Sequence, residues 1–206
     1  IEFDNLPMPS GPYIIGTQTF IWQDENRPEQ FTRQKDDYRK VKAQIWYPAQ
    51  SKTDSLQPYL DGGQKRIEHI SYQLGLPKAL LKNILKIQTN SYVNAQSINN
   101  KKFPLIIFSH GLGGMRTQNM THVEHLVSNG YTVIGIDHSY DANIVYFEDG
   151  SYAEYRSDAH MLFNLFYGDT ARYIDKEYST EEIRDFRFFG LEARTNDVIF
   201  VLDQVE

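Results

Sequence analysis

The stretch FPLIIFSHGLGGMR, Phe103 to Arg116, decides the fold. Pro104 to Phe108 is an unbroken apolar run that follows Phe103 and ends at Ser109. Such density reads as a strand buried on both faces of a parallel sheet, because a half-exposed strand would alternate. Ser109 ends the run, and Gly111, Gly113 and Gly114 follow. A helix is expected from Arg116 to Asn129, with Met120, Val123, Leu126 and Val127 inward and Gly130 as its stop. YTVIGID, Tyr131 to Asp137, reads as a second buried strand. Strand, helix and strand at this spacing make a βαβ unit, whose crossover is right-handed by rule.

In open α/β sheets ligands bind beyond the carboxyl ends of the strands, where Ser109–Gly114 falls. Glycines let a backbone turn tightly and approach a ligand closely. Amides aimed into the crevice could stabilise a developing oxyanion, and one such donor contributes about 100- to 1000-fold in rate. The spacing alone equally permits a phosphate-cradling turn or a structural one. Neither G-x-G-x-x-G nor a P-loop occurs, so nucleotide binding has weak support.

Outward from this centre the pattern changes. PYIIGTQTFIW, Pro12 to Trp22, reads as a strand, and ENRPEQ as a polar loop. Arg39 to Pro48 alternates Val41, Ala43, Ile45 and Tyr47 with Lys40, Lys42 and Gln44. That predicts a half-buried antiparallel strand stopped by Pro48, hairpinned to the first. Residues 49–100 read as a helical insertion. Within it a helix is expected from Pro77 to Gln88, with Leu80, Leu81, Ile84, Leu85 and Ile87 on one face and Lys78, Lys82 and Lys86 on another. It either covers the core or touches lipid peripherally. Residues 142–189 form an irregular segment containing a hairpin around Asp149-Gly150; residues 156–189 show no clear period. A last helix over Leu191–Val205 would turn Leu191, Val198, Ile199, Leu202 and Val205 inward.

Composition sets bounds on function. A chain of 206 residues suits one domain, and a net charge of −6 argues against general nucleic-acid binding. Without Cys there is no thiol chemistry, disulfide or Cys-ligated zinc. No apolar run approaches the roughly 18 residues of a membrane span. The chain opens at Ile1 without Met, which reads as a processed start. Candidate constellations are weak: Ser109-His110 and His138-Ser139 are adjacent in sequence, so their side chains diverge, and Asp141 does not repair that. His122 and His125 read as surface residues, and His69 and His160 are isolated.

Beyond these single features, the sequence resembles the platelet-activating-factor acetylhydrolase family, isoform II and plasma type, of the α/β-hydrolase fold. The matching pieces are GPYIIG at Gly11, IWYPA at Ile45, FPLIIFSHGLGGMR at Phe103, YTVIGIDHSYD at Tyr131, YFEDG at Tyr146 and RTNDVIFVLDQV at Arg194. The resemblance implies an α/β chain of one domain, residues 1–206. It would be the N-terminal portion of an α/β-hydrolase, an antiparallel hairpin and then a parallel βαβ unit. It further implies a serine ester hydrolase, cleaving short acyl esters of small molecules or phospholipids, without metal or cofactor. Leu112 would give its backbone N–H to the oxyanion hole, with Gly111 and Gly113 shaping the turn. His110 and Arg116 would brace the loop, and Asp137 and His138 would line the substrate crevice. No G-x-S-x-G is present, so the nucleophile is expected after residue 206. The sheet would be completed by the C-terminal half of the hydrolase, in the same or a separate chain. Alone, the Leu105 strand would expose an apolar edge. A different class stays open: a non-catalytic relative that uses the crevice for binding.

Overall fold

The computed structural model describes residues 5–32, 34–155 and 180–205. The apolar runs around residues 105 and 132 become β5 (Leu105–Ser109) and β6 (Thr132–His138), joined through α3 (Met120–Ser128). They pair in parallel, with Phe108 opposite Gly135. The β1 strand (Ile14–Pro28) and β2 (Tyr38–Ala49) pair antiparallel, and β2 lies antiparallel against β6. Two strands of the 49–100 insertion, β3 (Leu56–Pro58) and β4 (Gln88–Val93), complete a mixed sheet of order β3-β4-β1-β2-β6-β5. The fold is α/β, with parallel and antiparallel strands in one sheet.

Strand alternation divides the core between two faces. On one face Ile15, Trp46 and Val133 pack with Met120, Val123 and Val127 of α3. On the other Val41, Ala43, Ile134 and Ile136 pack with Val201 of α4 (Thr180–Val205). Gly135 of β6 leaves no room for a side chain. Any Cβ there would lie within 2.9 Å of the Trp46 ring and 3.1 Å of the Arg116 carbonyl. The hairpin expected around Asp149-Gly150 is β7 (Ile144–Tyr146) and β8 (Tyr152–Glu154), a separate pair. Among the described residues no helix is long and apolar enough to cross a membrane.

Several sequence expectations are corrected. β1 runs to Pro28, through the first four residues of the expected ENRPEQ loop, with a register shift between Asp24 and Pro28. Pro48 does not stop β2, because pairing with β6 ends at Trp46 and leaves no ladder bond there for Pro48 to break. Lys42 and Gln44, expected on a solvated face, are buried. Their face meets polar partners: Lys42 Nζ donates to Asp61 Oδ2 at 2.9 Å, and Gln44 Nε2 to Thr17 Oγ1 at 2.9 Å.

Residues 49–100 are not simply helical. Besides β3 and β4 they hold α1 (Gly63–Leu74), a short α2 (Lys78–Leu81) and a 3₁₀ turn (Lys82–Lys86). The expected helix over 77–88 therefore breaks, since β4 takes the chain from Gln88. Leu81, Ile84 and Leu85 pack inward with Leu60, Ile67 and Met115, whereas Leu80 is 70 % exposed. Strand β4 is tied to α3 by buried Glu124, which accepts from Asn90 N at 2.6 Å, Ser91 Oγ at 2.7 Å and Asn90 Nδ2 at 2.8 Å. Burial pushes that carboxyl up, partly offset by these bonds.

The Leu105 strand is covered on both faces, yet Leu105 is exposed and Ile106, Ile107 and Phe108 are only half-buried. The reason is lateral: among the described residues β5 has one neighbour, β6, and ends the sheet. On α4 the inward face carries Ala193, Asp197 and Val201, while Leu191 and Ile199, expected inward, are exposed.

Candidate active site

At the carboxyl end of β5 the chain enters a tight turn. Gly114 N donates to Gly111 O at 2.9 Å, and Gly113 takes φ +70°. A positive φ at the third of four residues is the type II pattern, which favours glycine there and accepts proline one position earlier. That earlier position is Leu112, 70 % exposed, whose N–H donates to no group among the described residues. Leu112, Gly113 and Gly114 line an open depression of about 750 Å³. Tyr72, Gln73 and Leu74 of α1, with Gln118 and Tyr155, form its other walls.

The turn is braced from several directions. His110 is buried beneath it. Its Nε2 accepts from His138 N at 3.2 Å, which leaves the proton on Nδ1, 2.6 Å from Gly111 O. Burial pulls the His110 imidazole below its usual range, outweighing Asp137, so the ring stays neutral. Arg116 closes the turn from the other face of the sheet. Its N–H donates to Asp137 Oδ1 at 2.6 Å, and its guanidinium bonds Asp137 Oδ2, Gln44 Oε1 at 3.0 Å and Asp61 Oδ2 at 2.8 Å. Arg66 and Lys42 also bond Asp61. Burial alone would raise the Asp61 carboxyl, but these cations hold it well below the carboxylate range. Neighbouring backbone completes the frame: Gly113 N donates to Asp141 O and Asn143 N to Gly114 O, both at 2.8 Å.

Asp137 and His138 do not line the crevice in this structure; both are fully buried, one layer beneath the turn. Alternation along β6 sends Asp137 to the α3 face and His138 to the α4 face. There His138 joins a chain hidden from sequence spacing: Ser109 Oγ lies 2.9 Å from His138 Nε2, and His138 Nδ1 lies 2.9 Å from Asp197 Oδ2. Asp197 also receives Arg39 through Nε at 3.0 Å and Nη2 at 2.6 Å, and pairs with Arg27 at 2.8 Å. Burial would raise the Asp197 carboxyl; Arg39 above all holds it well below the usual range. Arg194, one helical turn earlier, donates to Asp141 Oδ2 at 2.7 Å and His110 O at 3.3 Å. The sequence signal for both was a charged i, i+3 pair inside an apolar helical face.

The other candidates stay apart. Ser139 Oγ donates to Lys40 O, Asp141 is held by Arg194, and His122 and His125 are exposed on α3. His69 meets Glu154 at 3.4 Å, and His160 lies outside the described residues. Among the described residues no three His, Asp or Glu side chains are grouped to hold a metal ion.

A sequence profile of the family "Platelet-activating factor acetylhydrolase, isoform II" matches residues 2–202. The chain belongs to this family. A platelet-activating factor acetylhydrolase of Canis lupus familiaris is 26% identical over 160 residues, 75% of this chain and 33% of the relative. One of Cavia porcellus is 29% identical over 157 residues, 72% of this chain and 33% of the relative. The chain thus spans about a third of the length of the curated relatives it matches. Among solved structures, a ferulic acid esterase from Streptomyces cinnamoneus superposes with a TM-score of 0.58 at 23% identity. That match covers 73% of this chain and 41% of the esterase. It shows the fold, which is of the α/β-hydrolase type.

The network predicts an acid profile with two parts. His110 sits below its usual 6.5 when folded, so the unfolded chain binds more protons and stability falls as pH drops below about 6.5. Asp61 and Asp197 sit below their usual 3.8; their contribution is full above that value and is lost as pH falls further. Melting temperatures should therefore decline gently from pH 7 to 5 and steeply below about pH 4. His110→Gln should flatten the gentle part alone; an unchanged slope would show that His110 does not set it. Arg116→Ala leaves the buried Asp137 carboxylate without its bonded cation, while Asp61 keeps Arg66 and Lys42, and should cost about 3–5 kcal/mol in urea unfolding.

Proposed function

We propose that this chain forms the electrophile-binding half of a serine ester hydrolase that cleaves short acyl esters through an acyl-enzyme. The observation that carries the reading is the Leu112 amide: without a partner among the described residues, on an exposed residue, and held in a glycine turn at the carboxyl end of β5. As a tetrahedral intermediate forms, its oxyanion would take this N–H, a dipole already oriented before reaction. Gly111 and Gly113 permit the turn, and His110 and Arg116 fix it. The nucleophile follows residue 206, on a strand pairing with the open side of β5. Family membership supports ester hydrolysis of the platelet-activating-factor acetylhydrolase kind, a small ester or a phospholipid being the substrate.

One observation favours a second reading, with Ser109 itself as nucleophile: its hydrogen-bond chain to His138 and Asp197 has triad distances. Against it, Asp197 is shared between two guanidinium groups, and Ser109 ends a strand rather than standing on a strained elbow. A fluorophosphonate on the full-length protein, followed by peptide mapping, separates the readings. Stoichiometric labelling of a serine after Glu206 is expected. Labelling at Ser109 would favour the second reading, and no labelling of the intact protein would favour a non-catalytic binding role.

Leu112→Pro tests the oxyanion role directly, because proline suits this turn position but has no N–H. kcat on p-nitrophenyl acetate should fall about 100- to 1000-fold. An unaltered kcat in the folded variant would remove Leu112 from the site.

Lipid contact is proposed for the rim of the depression rather than for a helix over 77–88. Exposed Tyr72 and Leu74 share the depression with Leu112, and the exposed Leu76 and Leu80 follow them along the chain, an apolar rim able to meet a lipid surface. Changing Leu74, Leu76 and Leu80 together to Ser should weaken sedimentation with phosphatidylcholine vesicles while sparing a soluble ester. Equal vesicle binding would refute this contact.

A further inference from the structure

We propose that Arg194 of α4 is the positioning residue of the oxyanion turn, an inference that rests on the hydrolase reading above. Its guanidinium holds both ends of the segment that carries the Leu112 amide. At the entry, Nη1 donates to His110 O at 3.3 Å. At the exit, Nε donates to Asp141 Oδ2 at 2.7 Å, and the backbone oxygen of Asp141 accepts from Gly113 N at 2.8 Å. Leu112 lies between these two fixed points, and its own amide has no partner to hold it among the described residues. A helix on the α4 face of the sheet thereby sets the aim of an amide at the sheet's end.

The anchorage of α4 makes this transmission rigid. Three residues on, Asp197 ties the same helical face to His138 at the end of β6 and to Arg39 of β2. Arg194 therefore works from a helix already clamped to the sheet. The forked geometry matters, since one planar group meets a carbonyl and a carboxylate at once; a lysine offers a point charge without that fork. An oxyanion donor acts by being oriented before the charge develops, so loosening it affects the transition state more than the ground state.

Arg194→Gln and Arg194→Lys, made in the full-length protein, test the proposal against Arg27→Gln. Arg27 also binds α4, through Asp197 and Ala193 O, but does not touch the turn. For Arg194→Gln, kcat on p-nitrophenyl acetate should drop about 10- to 100-fold with KM within about twofold, the scale of a small misplacement. Arg194→Lys should recover part of the loss, and Arg27→Gln should keep its kcat. Amide hydrogen exchange over 110–114 should quicken in Arg194→Gln and not in Arg27→Gln. A cooperatively melting Arg194→Gln with unchanged kcat, or with losses and exchange matching Arg27→Gln, overturns the proposal. A wild-type protein without ester turnover would instead defeat the hydrolase reading, and the exchange comparison alone would then decide whether Arg194 holds the turn.

Discussion

The site depends on one buried cation. Arg116 is almost wholly buried, and its guanidinium meets Asp137 from β6, Gln44 from β2 and Asp61 from the segment before α1. A buried charge without partners is costly, so these groups must converge for the chain to fold. Their convergence fixes the turn at Gly111–Gly114, because the Arg116 backbone N–H is bonded to Asp137 as well. It also fixes α1, which walls the depression, since Arg66 and Arg116 share Asp61. A pair replaced by apolar residues could be as stable. Here the ionic arrangement adds direction: a guanidinium has few orientations that satisfy three partners.

Alternation along β6 gives the opposite face its own centre. Asp137 turns toward Arg116, and the next residue, His138, turns toward Asp197 and Arg39. Each face thus carries one buried Arg–Asp pair at the same sheet end, and the turn is held between them. Backbone links join the two centres, through His138 N to His110 Nε2 and through Asp141 O to Gly113 N. These two centres account for the burial of Arg39, Arg116, Asp137, His138 and Asp197.

How much of this was legible follows from where the information lay. The β5–α3–β6 unit and the glycine turn were readable because their signals are local: apolar density, a helical stripe and glycines at fixed offsets. The burial of Lys42 and Gln44 was not, because their partners Asp61, Arg116 and Thr17 are remote in sequence. The strand Gln88–Val93 is largely polar, and its place depends on hydrogen bonds to Glu124 rather than on apolar alternation. Helix α1 is mostly polar, with Ile67, Ile70 and Leu74 its only apolar side chains besides Tyr72, so little apolar density marks it, although Gly75 and Pro77 mark its end. The apolar stripe after Pro77 was real, but the strand that follows divides it, turning Leu81 inward and leaving Leu80 out. On α4, reading only apolar residues hid Arg194 and Asp197, the side chains that reach the site.

The Ser109–His138–Asp197 chain shows why distance alone does not assign a triad. Its spacing would suit proton relay, but a catalytic carboxylate serves the imidazole, whereas Asp197 also clamps Arg39 and Arg27. Its geometry is what joining β5, β6 and α4 requires: each residue comes from a different element, and the bonds run across their ends. Ser109 is exposed because β5 has an open side among the described residues. A strand added there would cover Ser109 and bring its own carboxyl end beside the Leu112 turn. Ligand sites of open α/β sheets form at such ends, and among the described residues the open edge of β5 and the partnerless Leu112 amide fall at one such end.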